Sequence, residues 1–226
     1  MPHPRKAPVI VIDGPAGAGK STVAREVARR LGLPFLDTGA IYRAITLLML
    51  RENVPPLDSP ELRSRLAGFS VSFSGTRVLA GGEDVTEGIR TQEIDRSVSA
   101  YSALPVVRES LLGIQRRQAA GGLVAEGRDM GTVVFPDADL KIFLTASAEE
   151  RARRRCEERA ARGEGSEYGE ILKQVNARDE IDSNREAAPL KAARDAILLD
   201  TTGMPLESVV GEIMGHAGRL AWNGGQ

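Results

Sequence analysis

The chain has 226 residues, a hydrophobic content of 42% and a formal net charge of −1 at pH 7. These values are typical of one globular domain with a buried core, and no excess of one charge indicates binding to nucleic acid or a membrane surface. A single cysteine, Cys156, excludes an internal disulfide, and no apolar run reaches membrane-spanning length, so we expect a cytoplasmic protein.

A phosphate-binding motif follows the first apolar run. Val9–Ile12 is typical of a buried parallel strand, and the next residues match the pattern G-x-x-x-x-G-K-[ST]. Glycines let backbone N–H groups surround a polyphosphate, and the helix that follows directs its positive end at the same anion. Lys20 is expected to reach the outer phosphates and Ser21 to ligate Mg²⁺. The predicted ATP-binding residues are Gly14, Pro15, Ala16, Gly17, Ala18, Gly19, Lys20, Ser21 and Thr22.

Strands and helices alternate in the first quarter of the chain. The first helix leaves the motif with Val23, Val27 and Leu31 on one face. A second strand covers Phe35–Asp37, and a second helix begins at Thr38 and runs to about residue 53. The alternation predicts an α/β core with a parallel sheet covered by helices.

The sequence changes its pattern from about residue 57 to residue 120. Short alternating runs separated by glycines predict a small antiparallel sheet over Phe69–Phe73, Arg77–Ala80 and Glu83–Val85. Helical patterns flank it at Pro60–Ala67, Thr91–Ser102 and Pro105–Ala120. We interpret this region as a subdomain inserted into a core of residues 8–56 and 121–220.

The core pattern then resumes and ends the chain. Strands are predicted at Leu123–Ala125, Leu140–Leu144 and Ile197–Thr201, with helices at Ala148–Ala161, Glu167–Glu186 and Pro205–Leu220. Two glycines in Arg162–Ser166 join two charged helices, which predicts a short mobile lid over about residues 160–186.

The motif alone leaves three classes of nucleotide-binding protein open. A GTPase switch needs a guanine-reading Asn-Lys-x-Asp, which the chain lacks, and a motor domain of this size would need neighbours. A kinase needs a second anionic pocket, and arginines suited to one occur at several separate places. These are Arg43, Arg108, Arg128, Arg178 and Arg185.

Six segments around these residues resemble bacterial cytidylate kinase. They are IDGPAGAGKST, LDTGAIYRA, IRTQE, PVVR, GRDMGTVVFPDADLKIFLTA and RDEIDSNREAAPL, and the likeness runs from about Val9 to Thr201. It implies a P-loop nucleoside monophosphate kinase that phosphorylates CMP and dCMP with ATP and Mg²⁺. One departure is Glu126, where the family often has Asp before Gly-Arg-Asp.

The resemblance also implies the roles of individual residues. Thr38 and Arg43 would contact the sugar and phosphate of the acceptor. The cytosine would be read by Ser99, Arg108 and Asp129, and Asp182 would hold the sugar. Phosphate binding and catalysis would be shared by Lys20, Arg128, Arg178 and Arg185.

The reaction itself needs no protein base, since a phosphate oxygen of the acceptor is already ionised near neutral pH. The enzyme must align that oxygen with the γ-phosphorus and neutralise charge. Asp13 and Glu126, at strand ends, could hold waters on Mg²⁺, and Asp13 could equally cap the N–H groups of its own loop.

Two alternatives to a CMP kinase stay open at this point. One is a P-loop kinase for another small acceptor, UMP or a non-nucleotide, and the other is a protein that binds ATP as a regulatory ligand without catalysis. No dimerisation heptad is visible, so we expect a monomer with small-molecule substrates and no nucleic-acid or membrane partner.

Overall fold

A computed structural model of the chain describes residues 7–220 and Trp222 and contains two sheets. The strands are β1 Val9–Asp13, β2 Phe35–Asp37, β3 Val71–Ser74, β4 Arg77–Ala80, β5 Glu83–Asp84, β6 Leu123–Gly127, β7 Leu140–Thr145 and β8 Ile197–Asp200. The α-helices are α1 Lys20–Leu31, α2 Thr38–Arg51, α3 Pro60–Ala67, α4 Gln92–Ala103, α5 Pro105–Arg117, α6 Ala148–Ala161, α7 Tyr168–Asn184 and α8 Leu206–Ala217.

Two compact units divide the described residues. The first unit contains the residues up to Leu36, Gln118–Asn184 and the residues from Ala188 onward. The second unit contains Asp37–Arg117 and Arg185–Ala187. The inserted NMP-binding subdomain over residues 57–120 and the lid over residues 160–186 stay predictions.

The larger sheet has the strand order β2-β6-β1-β7-β8. β1 lies at its centre and pairs in parallel with β6 and β7, and β7 pairs in parallel with β8. The carboxyl ends of these strands therefore meet at one edge of the sheet. Asp13 leads into the P-loop there, and Gly127 leads into the loop that carries Arg128 and Asp129. The predicted parallel sheet is confirmed.

Alternate residues of the central strand build a core between the sheet and two helices. Ile10 and Ile12 of β1 are fully buried against Val23 and Val27 of α1 and Ile213 of α8. Burial of one such side chain contributes about 1.5–3 kcal/mol, so this cluster fixes the position of β1 and of the helix that follows the P-loop. The i, i+4 spacing in α1 predicted that face correctly.

The second unit packs α2 against the smaller sheet. β4 pairs antiparallel with both β3 and β5, which confirms the small antiparallel sheet. Ala44 of α2, Val78 of β4 and Ile89 share one core cluster. Gly75 makes the turn between β3 and β4 with a φ of 61°, a conformation that glycine adopts without steric cost.

The end of α7 differs from the sequence prediction. The helix ends at Asn184 rather than at about Glu186. The backbone N–H of Leu190 donates to the carbonyl of Asp182 at 2.7 Å and closes the last turn. Pro189 also disfavours helical geometry in the residue before it. Arg185 therefore lies after the last residue of α7.

A π-helical turn at Met130–Val134 was not predicted. The N–H groups of Val134 and Phe135 donate to carbonyls five residues earlier, on Asp129 and Met130, at 3.2 and 2.7 Å. Such single turns occur often at functional sites. Within the described ranges, no helix combines the length and the apolar composition that crossing a bilayer requires.

Candidate active site

Close packing shapes the P-loop between β1 and α1. Gly14 has a φ of 145°, and a Cβ at this position would lie 2.0 Å from the carbonyl oxygen of Leu144 on β7. Gly19 has a φ of 85° and precedes the first residue of α1, Lys20. The loop thus leads directly into a helix N-terminus, where backbone N–H groups and the helix dipole favour an anion.

Lys20 is almost completely buried in this loop. Its Nζ donates to the carbonyl oxygen of Pro15 at 2.8 Å. Burial and, after it, the positive charges of Arg128 and Arg178 lower the pKa of Lys20 to about 7, against an opposing contribution from Glu126. Three cationic side chains of the first unit therefore lie close enough to repel one another, an arrangement that a polyphosphate would stabilise.

Asp13, the last residue of β1, bonds to a neighbouring loop and not to the P-loop. Its Oδ1 accepts from the N–H of Met130 and its Oδ2 from the N–H of Gly131, both at 2.8 Å. The sequence alternative that Asp13 caps its own loop is therefore wrong. Burial raises the pKa of Asp13 to about 6, against the effect of these two N–H groups.

Arg128 and Asp182 form an ion pair at the carboxyl end of the larger sheet. Arg128 Nε lies 2.9 Å from Asp182 Oδ2, and Arg178 Nε lies 4.0 Å from the same oxygen. Arg178 and Asp182 are spaced i, i+4 on α7, but the shorter contact comes from Arg128 in the loop after β6. Asp129, the residue after Arg128, is 2% exposed and therefore lies in a largely dry environment.

Arg151 on α6 was missed by the sequence analysis. It is buried, and its guanidinium donates to the P-loop carbonyl of Ala16 at 3.2 Å and to Asp179 of α7 at 3.0 Å. Arg151 thereby ties the P-loop to the helix that carries Arg178. Its segment contains four arginines among five residues, so no sequence signal distinguishes the buried one.

The second unit holds the other predicted acceptor residues. Asp37 caps α2 by accepting from the N–H of Ala40 at 2.9 Å, which places the buried Thr38 at the start of the helix. Arg43, one turn later, donates to Asp95 of α4 and to the carbonyl of Ile89. These contacts fix the direction of the Arg43 guanidinium within this unit.

Arg108 and Ser99 are brought together by the same unit. Arg108 Nη1 donates to the carbonyl of Ser102 at 3.0 Å, and Ser99 lies one turn before that residue on α4. The Arg108 guanidinium also lies 5.2 Å from the centre of the Tyr42 ring. The ring face of Tyr42 therefore orients a predicted base-reading arginine.

The donor atoms of the first unit fit a Mg²⁺ ion that arrives with a nucleotide. Magnesium prefers oxygen ligands, and Ser21 presents its hydroxyl from the exposed first turn of α1. Both oxygens of Asp13 already accept backbone N–H groups, so Asp13 is poorly placed to serve the ion. Ser21 therefore stays the predicted protein ligand of the ion.

Comparison with known proteins gives the following matches. A family model described as cytidylate kinase matches residues 10–219. The cytidylate kinase of Carboxydothermus hydrogenoformans is 49% identical over 215 residues, which cover 93% of this chain and 97% of that protein. That of Pseudomonas aeruginosa (strain UCBPP-PA14) is 49% identical over 223 residues, covering 96% and 97%. A crystal structure of an uncharacterized protein from Eubacterium ventriosum aligns with a TM-score of 0.52 at 13% identity, covering 94% of this chain and 98% of that one, a likeness of fold alone.

Proposed function

The chain belongs to the cytidylate kinase family, and we propose that it transfers the γ-phosphoryl group of ATP to CMP and dCMP, forming CDP and dCDP. One observation supports this most directly. Lys20 of the P-loop faces Arg128 and Arg178 in the first unit, so three cationic groups converge beside a helix N-terminus. Phosphoryl transfer from a triphosphate to the phosphate of a nucleoside monophosphate needs such a concentration of positive charge.

The protein's part in the reaction is alignment and charge neutralisation. The attacking phosphate oxygen of CMP is already ionised, and no side chain has to remove a proton from it. Lys20, Arg128, Arg178 and Arg185 would bind phosphate oxygens and stabilise charge that moves from ATP to the acceptor. When bound, Mg²⁺ supplies further neutralisation of the donor phosphates, with Ser21 as its protein ligand.

Recognition of the acceptor is assigned to residues of each unit. In the first unit, Asp129 would accept a hydrogen bond from the 4-amino group of cytosine, and Asp182 would hold the sugar. In the second unit, Thr38 and Arg43 would contact the sugar and phosphate. Ser99 and Arg108 would complete base recognition, and the 5.2 Å contact between Arg108 and Tyr42 supports a fixed geometry for that arginine.

A panel of acceptors tests this function against both alternatives. The protein is incubated with ATP and Mg²⁺ alone, then with CMP, dCMP, UMP, AMP or a non-nucleotide alcohol, and ADP is measured. We expect rapid ADP formation with CMP and dCMP, slower formation with UMP, and almost none without an acceptor. Faster ADP formation with a non-nucleotide acceptor would indicate a kinase with a different substrate. If no acceptor increases ADP formation, a regulatory ATP-binding protein is favoured.

We further propose that the protein works in the cytoplasm as a monomer on these small molecules, without a nucleic-acid or membrane partner. Its near-zero net charge and the absence of a heptad pattern in the sequence support this proposal. Light scattering of the purified protein during turnover tests it, and a stable dimer would contradict it.

A further inference from the structure

We propose that Asp13 is a positioning residue for base selection. It holds the turn that carries Asp129, so it acts on the acceptor side of the site although it directly precedes the ATP-binding loop. This inference rests on the proposed function, in which Asp129 contacts the cytosine. It assigns Asp13 a task different from binding Mg²⁺ or shaping the P-loop.

The contacts of Asp13 point to one turn only. Its two oxygens accept from the N–H groups of Met130 and Gly131, each at 2.8 Å, and these are the two residues directly after Asp129. Two parallel bonds fix a peptide segment in direction as well as in distance. The position of the Asp129 backbone is therefore set from β1, across 117 residues of sequence.

The turn itself needs this external support. Met130–Val134 forms a single π-helical turn, and its first two N–H groups are the ones that Asp13 accepts from. Helical turns leave their first N–H groups without partners inside the turn. Without Asp13, these donors would lie buried and unpaired, because Met130 is completely buried.

Gly131 allows the carboxylate to come this close. A Cβ at Gly131 would lie 3.2 Å from Cδ of Lys141 and 3.4 Å from Oδ2 of Asp13. The first distance is tighter than an ordinary van der Waals contact, and Lys141 is held by Pro136 and Asp195, so an alanine would crowd the turn against the Lys141 side chain. The substitution Gly131→Ala therefore disturbs the contact between Asp13 and the turn by changing the turn, and it leaves the Asp13 carboxylate unchanged.

The same strand offers a matched control at its other end. Oδ2 of Asp139 accepts from the N–H of Val9, the first residue of β1, at 2.8 Å. Asp139→Asn removes the charge from the same kind of carboxylate acceptor, but at the amino end of the sheet. The P-loop and the Asp129 turn lie at the carboxyl end.

The experiment measures kcat/KM for CMP and for UMP, and KM for ATP, in the wild type, Asp13→Asn, Gly131→Ala, Asp139→Asn and Asp129→Ala. The amide of Asn presents one acceptor and one donor, so one N–H of the turn would face another donor. In Asp13→Asn we expect the preference for CMP over UMP to fall by roughly 10-fold or more, with KM for ATP changed by less than about 3-fold. Gly131→Ala should lower the preference in the same direction, and Asp139→Asn should keep it.

The outcomes separate this inference from the function on which it rests. If Asp129→Ala loses the preference while Asp13→Asn and Gly131→Ala keep it, the positioning role is wrong and the function stands. If Asp129→Ala also keeps the preference for CMP over UMP, Asp129 does not read the cytosine, and the positioning role of Asp13 is wrong as well. A raised KM for ATP or a raised Mg²⁺ requirement in Asp13→Asn, with unchanged preference, would place Asp13 on the donor side. If circular dichroism shows that Asp13→Asn does not fold, the preference of Gly131→Ala for CMP over UMP decides whether the positioning role is correct.

Discussion

Arg128 Nε lies 2.9 Å from Asp182 Oδ2, which joins the loop after β6 to helix α7 by a largely buried ion pair. The Asp182 side chain is 4% exposed and the Arg128 side chain 18%. Arg178 Nε, at 4.0 Å from the same oxygen, adds a weaker attraction. One carboxylate thus organises two of the arginines that we assign to phosphate binding.

Removal of this carboxylate should destabilise the folded protein. Asp182→Ala leaves Arg128 with an uncompensated charge in a largely dry environment, so we expect the free energy of unfolding to fall by about 3 kcal/mol. Urea denaturation measures it. The control is Asp58→Ala, which breaks an exposed ion pair with Arg63 and should cost less than about 1 kcal/mol. Equal losses in the two variants would contradict the organising role of Asp182.

Lys20 should matter for catalysis and not for folding. Lys20→Ala removes a buried amine whose pKa is lowered by burial, so the apo melting temperature should stay the same or rise. Phosphotransfer should fall by roughly 10²-fold or more, because a charge directed at the transferring group is lost.

Lys173→Ala is the control for Lys20→Ala, since Lys173 is an exposed lysine of α7. It should leave both the melting temperature and the rate unchanged. A Lys20→Ala protein that is folded and fully active would show that the P-loop is not the donor site.

Asp129 should discriminate between the two pyrimidines. Cytosine presents a 4-amino donor where uracil presents a 4-oxo acceptor, and a carboxylate can accept only from the first. Asp129→Ala should therefore reduce kcat/KM for CMP by roughly 10²-fold more than for UMP. Steady-state kinetics with both acceptors measures it. An equal loss for CMP and UMP would mean that Asp129 supports Arg128 or the metal instead.

The stability contributed by Asp13 should depend on pH. Burial raises its pKa from 3.8 to about 6, so the native state binds this proton more tightly than the unfolded chain does. The contribution is complete below about pH 4 and is lost as the pH rises through about 6. The difference in unfolding free energy between the wild type and Asp13→Asn should therefore fall by about 3 kcal/mol from acidic to neutral pH.

Urea denaturation at a series of pH values measures this difference. Asp139→Asn provides the control, because Asp139 binds a backbone N–H at the other end of β1. A difference that grows with rising pH would mean that Asp13 is ionised with a lowered pKa. In that case the two N–H groups of the turn would stabilise the carboxylate by more than burial destabilises it.

Much of the fold could be predicted from local sequence patterns. Glycines, prolines and hydrophobic spacing are local signals, and they identified the strands, the helices and the small sheet within a few residues. Two features were missed because they depend on contacts distant in sequence. The π-helical turn at Met130 forms against Asp13, and the end of α7 depends on the bond from Leu190 to Asp182.

The site was predictable where a motif names a residue by its sequence neighbours. Sequence motifs identified the P-loop residues in this way, and also Arg128 and Arg178. The contact of Arg151 with the P-loop carbonyl of Ala16 spans 135 residues, and the approach of Asp13 to Gly131 spans 118. No local pattern encodes either contact, so the network that supports the predicted residues became visible only in the folded chain.

Transfer of labelled phosphate tests the central claim most directly. The protein is mixed with an equimolar amount of ATP labelled at the γ-phosphate, with Mg²⁺ and with excess CMP, and the products of a single turnover are separated. The account predicts that the label appears in CDP at the rate at which ATP is consumed, with almost none in inorganic phosphate. Label released as inorganic phosphate, or ATP left unconsumed in the presence of CMP, would contradict it.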